Sequence, residues 1–245
     1  MKCSVVMYTR NRAEAVDRTL QSVLCQHPTF DHEVIVVDDG STDNTRDVCR
    51  QHKTQHELRY VHLPNPRGRD RGPAVARNTG YRLARGDVIV TQSADVLHQG
   101  EAIQGLVDGL GKNEIVNATV YNARVDRSPD GRLMAQRLSQ FTGEKRPVPL
   151  FFLGALWRSD FYAVGGIDED FTELGSEDLW FADCLIRGLG LKSRFLPNVV
   201  GFHQDHPRSK ETHARTDMND LWKEKVRMAE AGAIPWQASS GPWVE

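Results

Sequence analysis

The chain has 245 residues, which suits one large α/β domain or one domain with a small appendage. Its hydrophobic fraction of 39%, charged fraction of 26% and net charge of −2 are ordinary for a globular protein and give no reason to expect nucleic acid as a partner. No apolar run approaches the roughly 20 residues of a membrane helix. The strand pattern that starts at Cys3 leaves no room for a signal peptide, and the four scattered cysteines lack zinc-site spacing. We therefore expect a reduced, cytoplasmic protein without a membrane span.

The first half of the chain alternates strand and helix patterns. Strands are predicted at 3–8, 33–37, 58–63, 87–91 and 114–121, and helices at 15–26, 43–52, 74–84 and 101–110. Strands separated by helices imply right-handed crossovers, so we expect an α/β fold with a mainly parallel central sheet.

The second half is less regular. The patterns predict a turn at 129–131, a loop at 142–149, helices at 160–164, 177–188 and 216–231, and one or two strands in 193–201 broken at Pro197. We divide the chain into a domain of residues 1–215, with halves 1–124 and 125–215, followed by a helix and tail at 216–245. Whether that helix packs on the domain, on a second copy in a homo-oligomer or on another partner stays open, as does docking of the tail through Trp243.

The most informative segment is Val34 to Asp43, where a β-branched run meets Asp38 and Asp39. Ligands of open parallel sheets bind beyond the carboxyl ends of the strands, which puts both carboxylates at the mouth of a cleft. A carboxylate there can accept donors from a base or a ribose, and the ordinary alternative is that it caps the turn.

Other strand ends and loops add polar candidates. Thr9 and Arg12 follow the first strand, and Asp95 closes the fourth. A glycine- and arginine-rich stretch, containing Arg67, Arg69, Arg71 and Arg77, could contact phosphate or could be a solvated basic loop. Arg77 differs from the other arginines, because it lies on a helix beside small residues.

Two further candidates lie late in the chain. Ser176, Glu177 and Asp178 open a helix, where Ser176 can cap and the acids suit the helix dipole, and one acid can act as a general base. His203 follows an apolar strand and is a candidate metal ligand, with His206 as a weaker one.

The order of these motifs resembles the family 2 glycosyltransferases of the GT-A fold. The motifs are Val-Asp-Asp-Gly-Ser-Thr-Asp, Ala-Arg-Asn-Thr-Gly, Ser-Ala-Asp, Gly-Gly-Ile-Asp-Glu-Asp-Phe and Glu-Asp-Leu, and the match runs from Cys3 to about His206. The resemblance implies a Rossmann-like three-layer α/β/α fold and transfer of a sugar from a nucleotide sugar, usually a UDP sugar, to an acceptor hydroxyl with inversion.

The resemblance also implies a role for each matching residue. Asp39 would read the base, with Thr9 and Arg12 on the nucleotide side, and Arg77 would lie near the diphosphate. Ser93, Ala94 and Asp95 occupy the place of the family's Asp-x-Asp motif, and Asp95 and His203 would bind a divalent cation. Asp178 would be the catalytic base, with Glu177 beside it. A mixed oxygen and imidazole shell favours manganese over magnesium.

Ser93 departs from the family pattern, because it replaces the first acid of that motif. One fewer carboxylate lowers the negative charge around the cation and motivates an alternative function, a non-catalytic nucleotide-sugar-binding module with a degenerate metal site. A sugar nucleotidyltransferase is disfavoured because Thr9 to Arg12 contains no glycine, and a dehydrogenase because no Gly-x-Gly-x-x-Gly follows a strand. Trp157 and Trp180 could stack on a sugar or belong to the core.

Overall fold

The computed structural model describes residues 3–53, 58–65, 72–144, 151–205 and 212–243. Arg67, Arg69, Arg71, His206 and most of the predicted 142–149 loop lie outside these ranges. The strands of the described chain are β1 Cys3–Thr9, β2 His32–Asp38, β3 Leu58–His62, β4 Val88–Ser93, β5 Val96–Gln99, β6 Glu114–Arg127, β7 Leu133–Thr142, β8 Leu153–Trp157 and β9 Lys192–Gln204. The α helices are α1 Ala13–Leu24, α2 Thr45–Lys53, α3 Ala74–Leu83, α4 Ala102–Gly109, α5 Arg158–Ala163, α6 Glu177–Asp183 and α7 Thr212–Glu230.

All described strands belong to one sheet in the order β3-β2-β1-β4-β8-β6-β9-β5, with β7 paired to β6. The pairings among β3, β2, β1 and β4 are parallel, as the alternating strand and helix patterns predicted. Beyond β4 the sheet is mixed. β8 runs antiparallel to both β4 and β6, β5 runs antiparallel to β9, and β7 runs antiparallel to β6. The predicted parallel pairing therefore holds for β1 to β4 and again for β6 with β9.

Alternate residues of the central strands enter two separate cores, which produces three layers. Val5 and Met7 of β1 pack with α1, whereas Val6 between them faces the opposite side, where Tyr81 of α3 packs. Continuous apolar runs such as 34–37 fit this arrangement, because both faces of these strands are covered by helices.

Three strands were absent from the sequence prediction, namely β5, β7 and β8. β5 has only four residues, and β7 is largely exposed, so neither carries a strong apolar alternation. The predicted helix 177–188 is α6 followed by a π-helical turn at Cys184–Gly188. The break at Pro197 is a register shift within β9, and β6 runs through the proposed boundary at residue 124.

The C-terminal helix and tail pack on the domain, which answers one question that the sequence left open. Lys225 of α7 is 8% exposed and pairs with Asp168 at 3.0 Å and Asp170 at 2.8 Å. Trp243 packs edge-on against Phe161, and its backbone N–H donates to the carbonyl of Tyr162 at 2.9 Å. Among the described helices, none combines the length and the apolar character required to cross a bilayer.

Candidate active site

The loops after β1 and β2 are joined to each other at the carboxyl edge of the sheet. The backbone N–H of Asp39 donates to the carbonyl of Thr9 at 2.9 Å, and Thr42 N–H donates to Asn11 Oδ1 at 2.7 Å. Asp38 accepts the N–H of Ser41 at 2.8 Å and also accepts the Tyr60 hydroxyl, so it stabilises the turn. Of the two adjacent acids, Asp38 thus has the turn-capping role, and Asp39 is buried beside it.

Asp95 lies on the turn between β4 and β5 and is surrounded by three polar groups. The Ser93 hydroxyl donates to Asp95 Oδ1 at 2.7 Å. Asp95 Oδ2 lies 3.7 Å from His203 Nε2 and 3.9 Å from Arg12 Nη1. The structure therefore brings together Arg12, Ser93, Asp95 and His203, which are far apart in the sequence, and Ala94 contributes its carbonyl to the same turn.

The orientation of His203 follows from its neighbours. Asn122 donates its Nδ2 to Ser139 Oγ at 3.0 Å, which turns Asn122 Oδ1 towards His203 Nδ1 at 3.2 Å. In the neutral ring Nδ1 then carries the hydrogen, and the lone pair of Nε2 faces the Asp95 carboxylate. Phe141 stacks on the ring at a centroid distance of 4.9 Å and keeps it in this plane.

Two electron-pair donors facing each other, Asp95 Oδ2 and His203 Nε2, fit a bound cation. Within the described residues no cluster of three or more His, Cys, Asp or Glu side chains could hold a metal ion. A divalent cation here would therefore need most of its remaining ligands from a bound diphosphate or from water.

Arg77 of α3 is buried and lies over the ring of Tyr8. Its guanidinium carbon is 4.7 Å from the centroid of the Tyr8 ring, and its Nη1 lies 3.7 Å from Glu177 Oε1. This buried Nη1 has no hydrogen-bond partner in the part of the chain that the structure describes. Gly80 permits the close approach of α3, because a Cβ there would lie 2.4 Å from Val6 Cγ1.

Asp178 at the start of α6 has a raised pKa, to about 7. Burial is the largest cause, the neighbouring Glu177 carboxylate adds to it, and Arg77 opposes it. The sequence-based expectation that Ser176 caps α6 is wrong, since its side chain makes no cap hydrogen bond and its backbone is left-handed at φ 63°. Glu177 instead accepts the N–H of Gly175 at 3.1 Å.

Tyr8 and Asn78 are residues of this region that sequence reasoning missed. The pKa of Tyr8 is raised to about 12, mainly by burial, with Arg77 opposing this shift and the carboxylates of Glu177, Asp95 and Asp178 adding to it. The three acids and Arg77 thus act on one partly buried phenol. Asn78 donates to the carbonyl of Ile167 at 2.7 Å and accepts its N–H at 2.9 Å, which holds the loop before the acids against α3.

The two tryptophans considered as sugar platforms have other contacts. Trp180 is fully buried in the core and stacks at a tilt on Trp236, with ring centroids 5.6 Å apart. Trp157 ends β8 and donates its indole N–H to the carbonyl of Gly111 at 3.0 Å.

The sheet, with acids and a histidine near its strand ends and a buried arginine on α3, defines a GT-A fold, the nucleotide-sugar-binding fold of many glycosyltransferases. The family model described as Glycosyl transferase family 2 matches residues 4–161, and the chain belongs to this family.

Relatives and solved structures agree with this membership. The chain is 29% identical to validoxylamine A glucosyltransferase of Streptomyces hygroscopicus subsp. jinggangensis over 88% of its own length and 58% of the relative's. It is 30% identical to poly-beta-1,6-N-acetyl-D-glucosamine synthase of Staphylococcus epidermidis over 94% of its own length and 54% of the relative's. The chain thus spans little more than half the length of these curated relatives.

Two solved structures share the fold. The mannosyltransferase PcManGT from Pyrobaculum calidifontis, in complex with GDP-Man and Mn²⁺, superimposes with a TM-score of 0.64 at 22% identity over 95% of this chain and 64% of that one. S. aureus TarS in complex with UDP-GlcNAc gives a TM-score of 0.66 at 19% identity over 94% of this chain and 67% of that one.

Proposed function

We propose that this protein is an inverting, metal-dependent glycosyltransferase that moves a sugar from a nucleotide sugar, most simply a UDP sugar, to an acceptor hydroxyl during glycan or polysaccharide synthesis. The observation that carries the proposal is the buried Arg77 guanidinium. Its Nη1 lacks a hydrogen-bond partner among the described residues, and a phosphate oxygen of a diphosphate is an acceptor that would satisfy it.

In the proposed reaction the acceptor oxygen attacks the anomeric carbon of the donor from the face opposite the diphosphate. The bond between that carbon and the diphosphate oxygen breaks, and its electron pair leaves with the diphosphate. Asp178 takes the proton of the acceptor hydroxyl. A carboxylate whose pKa is raised towards neutral is a stronger base than an ordinary one, which supports this assignment.

The other residues contact the nucleotide or stabilise the negative charge of the leaving diphosphate. Arg77 provides positive charge near the diphosphate, where negative charge increases as the bond breaks. Asp39, with Thr9 and Arg12, binds the nucleoside. Asp95 and His203 would hold a divalent cation, manganese in preference to magnesium, and such a cation, when bound, supplies further charge that stabilises the leaving diphosphate.

A panel of UDP and GDP sugars, incubated with Mn²⁺ and with or without EDTA, tests the proposal. We expect metal-dependent release of the nucleoside diphosphate from at least one donor, even without an acceptor, because water can replace the acceptor hydroxyl. Tight nucleotide binding that is indifferent to Mn²⁺, with no turnover of any donor, would instead favour the non-catalytic binding module that Ser93 motivates.

A further inference from the structure

The turn that carries Asp95 is held by a row of buried donors. Gln92 Nε2 donates to the carbonyls of Ser93 at 2.8 Å and Val96 at 2.7 Å. The Thr19 hydroxyl donates to the carbonyl of Ala94 at 2.9 Å, and the backbone N–H of Gln204 donates to that of Asp95 at 2.8 Å. Four successive carbonyls, 93–96, therefore each accept a hydrogen bond.

The direction of the Gln92 amide is set by residues further away. Ile103 N–H donates to Gln26 Oε1 at 2.9 Å, so the Nε2 of Gln26 faces His98 Nδ1 and donates to it. His98 must then carry its hydrogen on Nε2, which donates to Gln92 Oε1. This leaves the Gln92 Nε2 hydrogens for the turn.

The arrangement needs a neutral imidazole, because a charged ring would place a hydrogen on Nδ1 opposite the Gln26 amide hydrogens. His98 is 8% exposed, and burial lowers its pKa to about 3. Gln26 and Gln92 are 4% and 3% exposed, so water does not compete strongly for these bonds. The direction of the hydrogen bonds is thus constant over the physiological pH range.

We propose that Gln26, His98 and Gln92 form a positioning relay that holds the backbone of the 93–96 turn and so presents the Asp95 carboxylate to a divalent cation and the diphosphate of a donor. The relay touches no substrate. It acts through the turn, and with Ser93 holding Oδ1 it leaves Asp95 Oδ2 towards His203. This inference rests on the proposed function for the identity of the ligand.

Gln92→Met tests the relay, because it keeps the side-chain volume and removes both donors to the turn. Ser4→Ala is the matched control. Ser4 is equally buried at the opposite end of the sheet, and it loses two hydrogen bonds of similar length, to Glu33 at 2.8 Å and from Gly86 at 2.9 Å. His98→Asn is the second relay variant, used if Gln92→Met does not fold.

Calorimetry with Mn²⁺ and UDP, and with Mn²⁺ and GDP, measures the consequence, and hydrogen exchange of peptides covering 93–97 measures the turn itself. We expect the relay variants to weaken binding about 10-fold or more, the effect of losing residues that orient metal ligands, and to speed exchange at the turn. Ser4→Ala should lower the thermal midpoint, but it should neither weaken nucleotide binding nor speed exchange at the turn.

Binding and exchange in the relay variants within twofold of the parent would overturn the relay. Binding of the nucleotide by the parent without any sugar transfer would overturn the proposed activity alone, while the relay would still be judged by affinity. If the parent binds neither Mn²⁺ with UDP nor Mn²⁺ with GDP, both proposals fail.

Discussion

Arg77 Nη1 and Glu177 Oε1 lie 3.7 Å apart in a buried pair that links α3 to the start of α6. Electrostatic interactions with Tyr8, Tyr81, Glu177 and Asp178 raise the pKa of Arg77 despite its burial. Each partner of this buried pair compensates the charge of the other, because either partner alone would be an uncompensated buried charge.

Arg77→Met should therefore unfold more easily, by about 3–5 kcal/mol, since it leaves Glu177 unpaired. Adding Glu177→Gln should recover part of this loss. Urea denaturation of the single and double variants measures both changes. Arg82→Met, an exposed arginine on the same helix, is the control and should change stability by less than the buried pair does. Equal effects of Arg77→Met and Arg82→Met would contradict the importance of burial.

Asp178→Asn should lower kcat by about 10²–10⁴-fold, the typical contribution of a general base. Donor affinity should stay within twofold, because the amide keeps the shape of the side chain. Single-turnover transfer measures the effect on the chemical step, and nucleotide titration measures the effect on donor affinity. Asp220→Asn, on the exposed face of α7, is the control. Near-parental turnover by a folded Asp178→Asn would remove Asp178 as the base.

The raised pKa of Asp178 predicts two pH effects of opposite sign. Transfer should increase with pH along a limb near 7, because the base must lose its proton. Stability should decrease over the same rise, since the folded state holds the proton more tightly than the unfolded chain and loses that advantage as pH rises through about 7.

A comparison with Asp178→Asn isolates this second effect. The amide does not titrate, so the difference in unfolding free energy between variant and parent should shift in favour of the variant from about pH 4 to about pH 7. Glu177→Gln should move the rate limb to lower pH, because it removes a like charge. A rate profile that is flat between pH 5 and 8 would argue against a titrating base.

Ser93→Asp should restore the first acid of the motif and tighten Mn²⁺ binding. In the free protein the new carboxylate would face Asp95 Oδ1, where the serine hydroxyl now donates at 2.7 Å, and like charges there should lower the thermal midpoint. Added Mn²⁺ should then raise the midpoint more in Ser93→Asp than in the parent. Thermal unfolding across a Mn²⁺ series measures this. Ser93→Ala adds no charge, so Mn²⁺ should raise its thermal midpoint no more than it raises that of the parent.

Lys225→Met should destabilise the domain by about 3–5 kcal/mol, because Asp168, 1% exposed, loses its cation. Asp168→Asn in the same chain should restore part of the stability. Lys223→Met, an exposed lysine on the same helix, should have a small effect. Chemical denaturation compares the three variants, and a silent Lys225→Met would show that α7 contributes little to the stability of the loop that leads to α6.

Strong local signals predicted the first half of the fold. The run from Val34 ends at Asp38 because β-branched residues fit a strand covered on both faces and acids suit the turn after it. The alternation of strands and helices predicted the parallel pairing of β1 to β4, and the order of the motifs predicted the family. These features depend on neighbours in sequence, so one sequence suffices to find them.

The later strands and the contacts of the site depend on tertiary structure. β7 has little apolar patterning, because among the described strands it pairs with β6 alone and it stays largely exposed. The short β5 is a strand because β9 lies beside it. Ser176, which spacing suggested as the cap of α6, makes no cap hydrogen bond, and the Glu177 carboxylate accepts the N–H of Gly175 before the helix. Pairing and packing over long separations decide such features.

The sequence by itself determined that acids end the strands and open α6. Only the fold decided which side chains meet, such as Arg12 and His203 at Asp95, or Tyr8 among three carboxylates and Arg77. The relay from Gln26 through His98 to Gln92 could not be found from neighbours in sequence, because it depends on contacts such as that of the Ile103 N–H, 77 residues away from Gln26. Each of these polar groups is removed from water and therefore needs a hydrogen-bond or ionic partner. The fold provides that partner from a distant part of the chain.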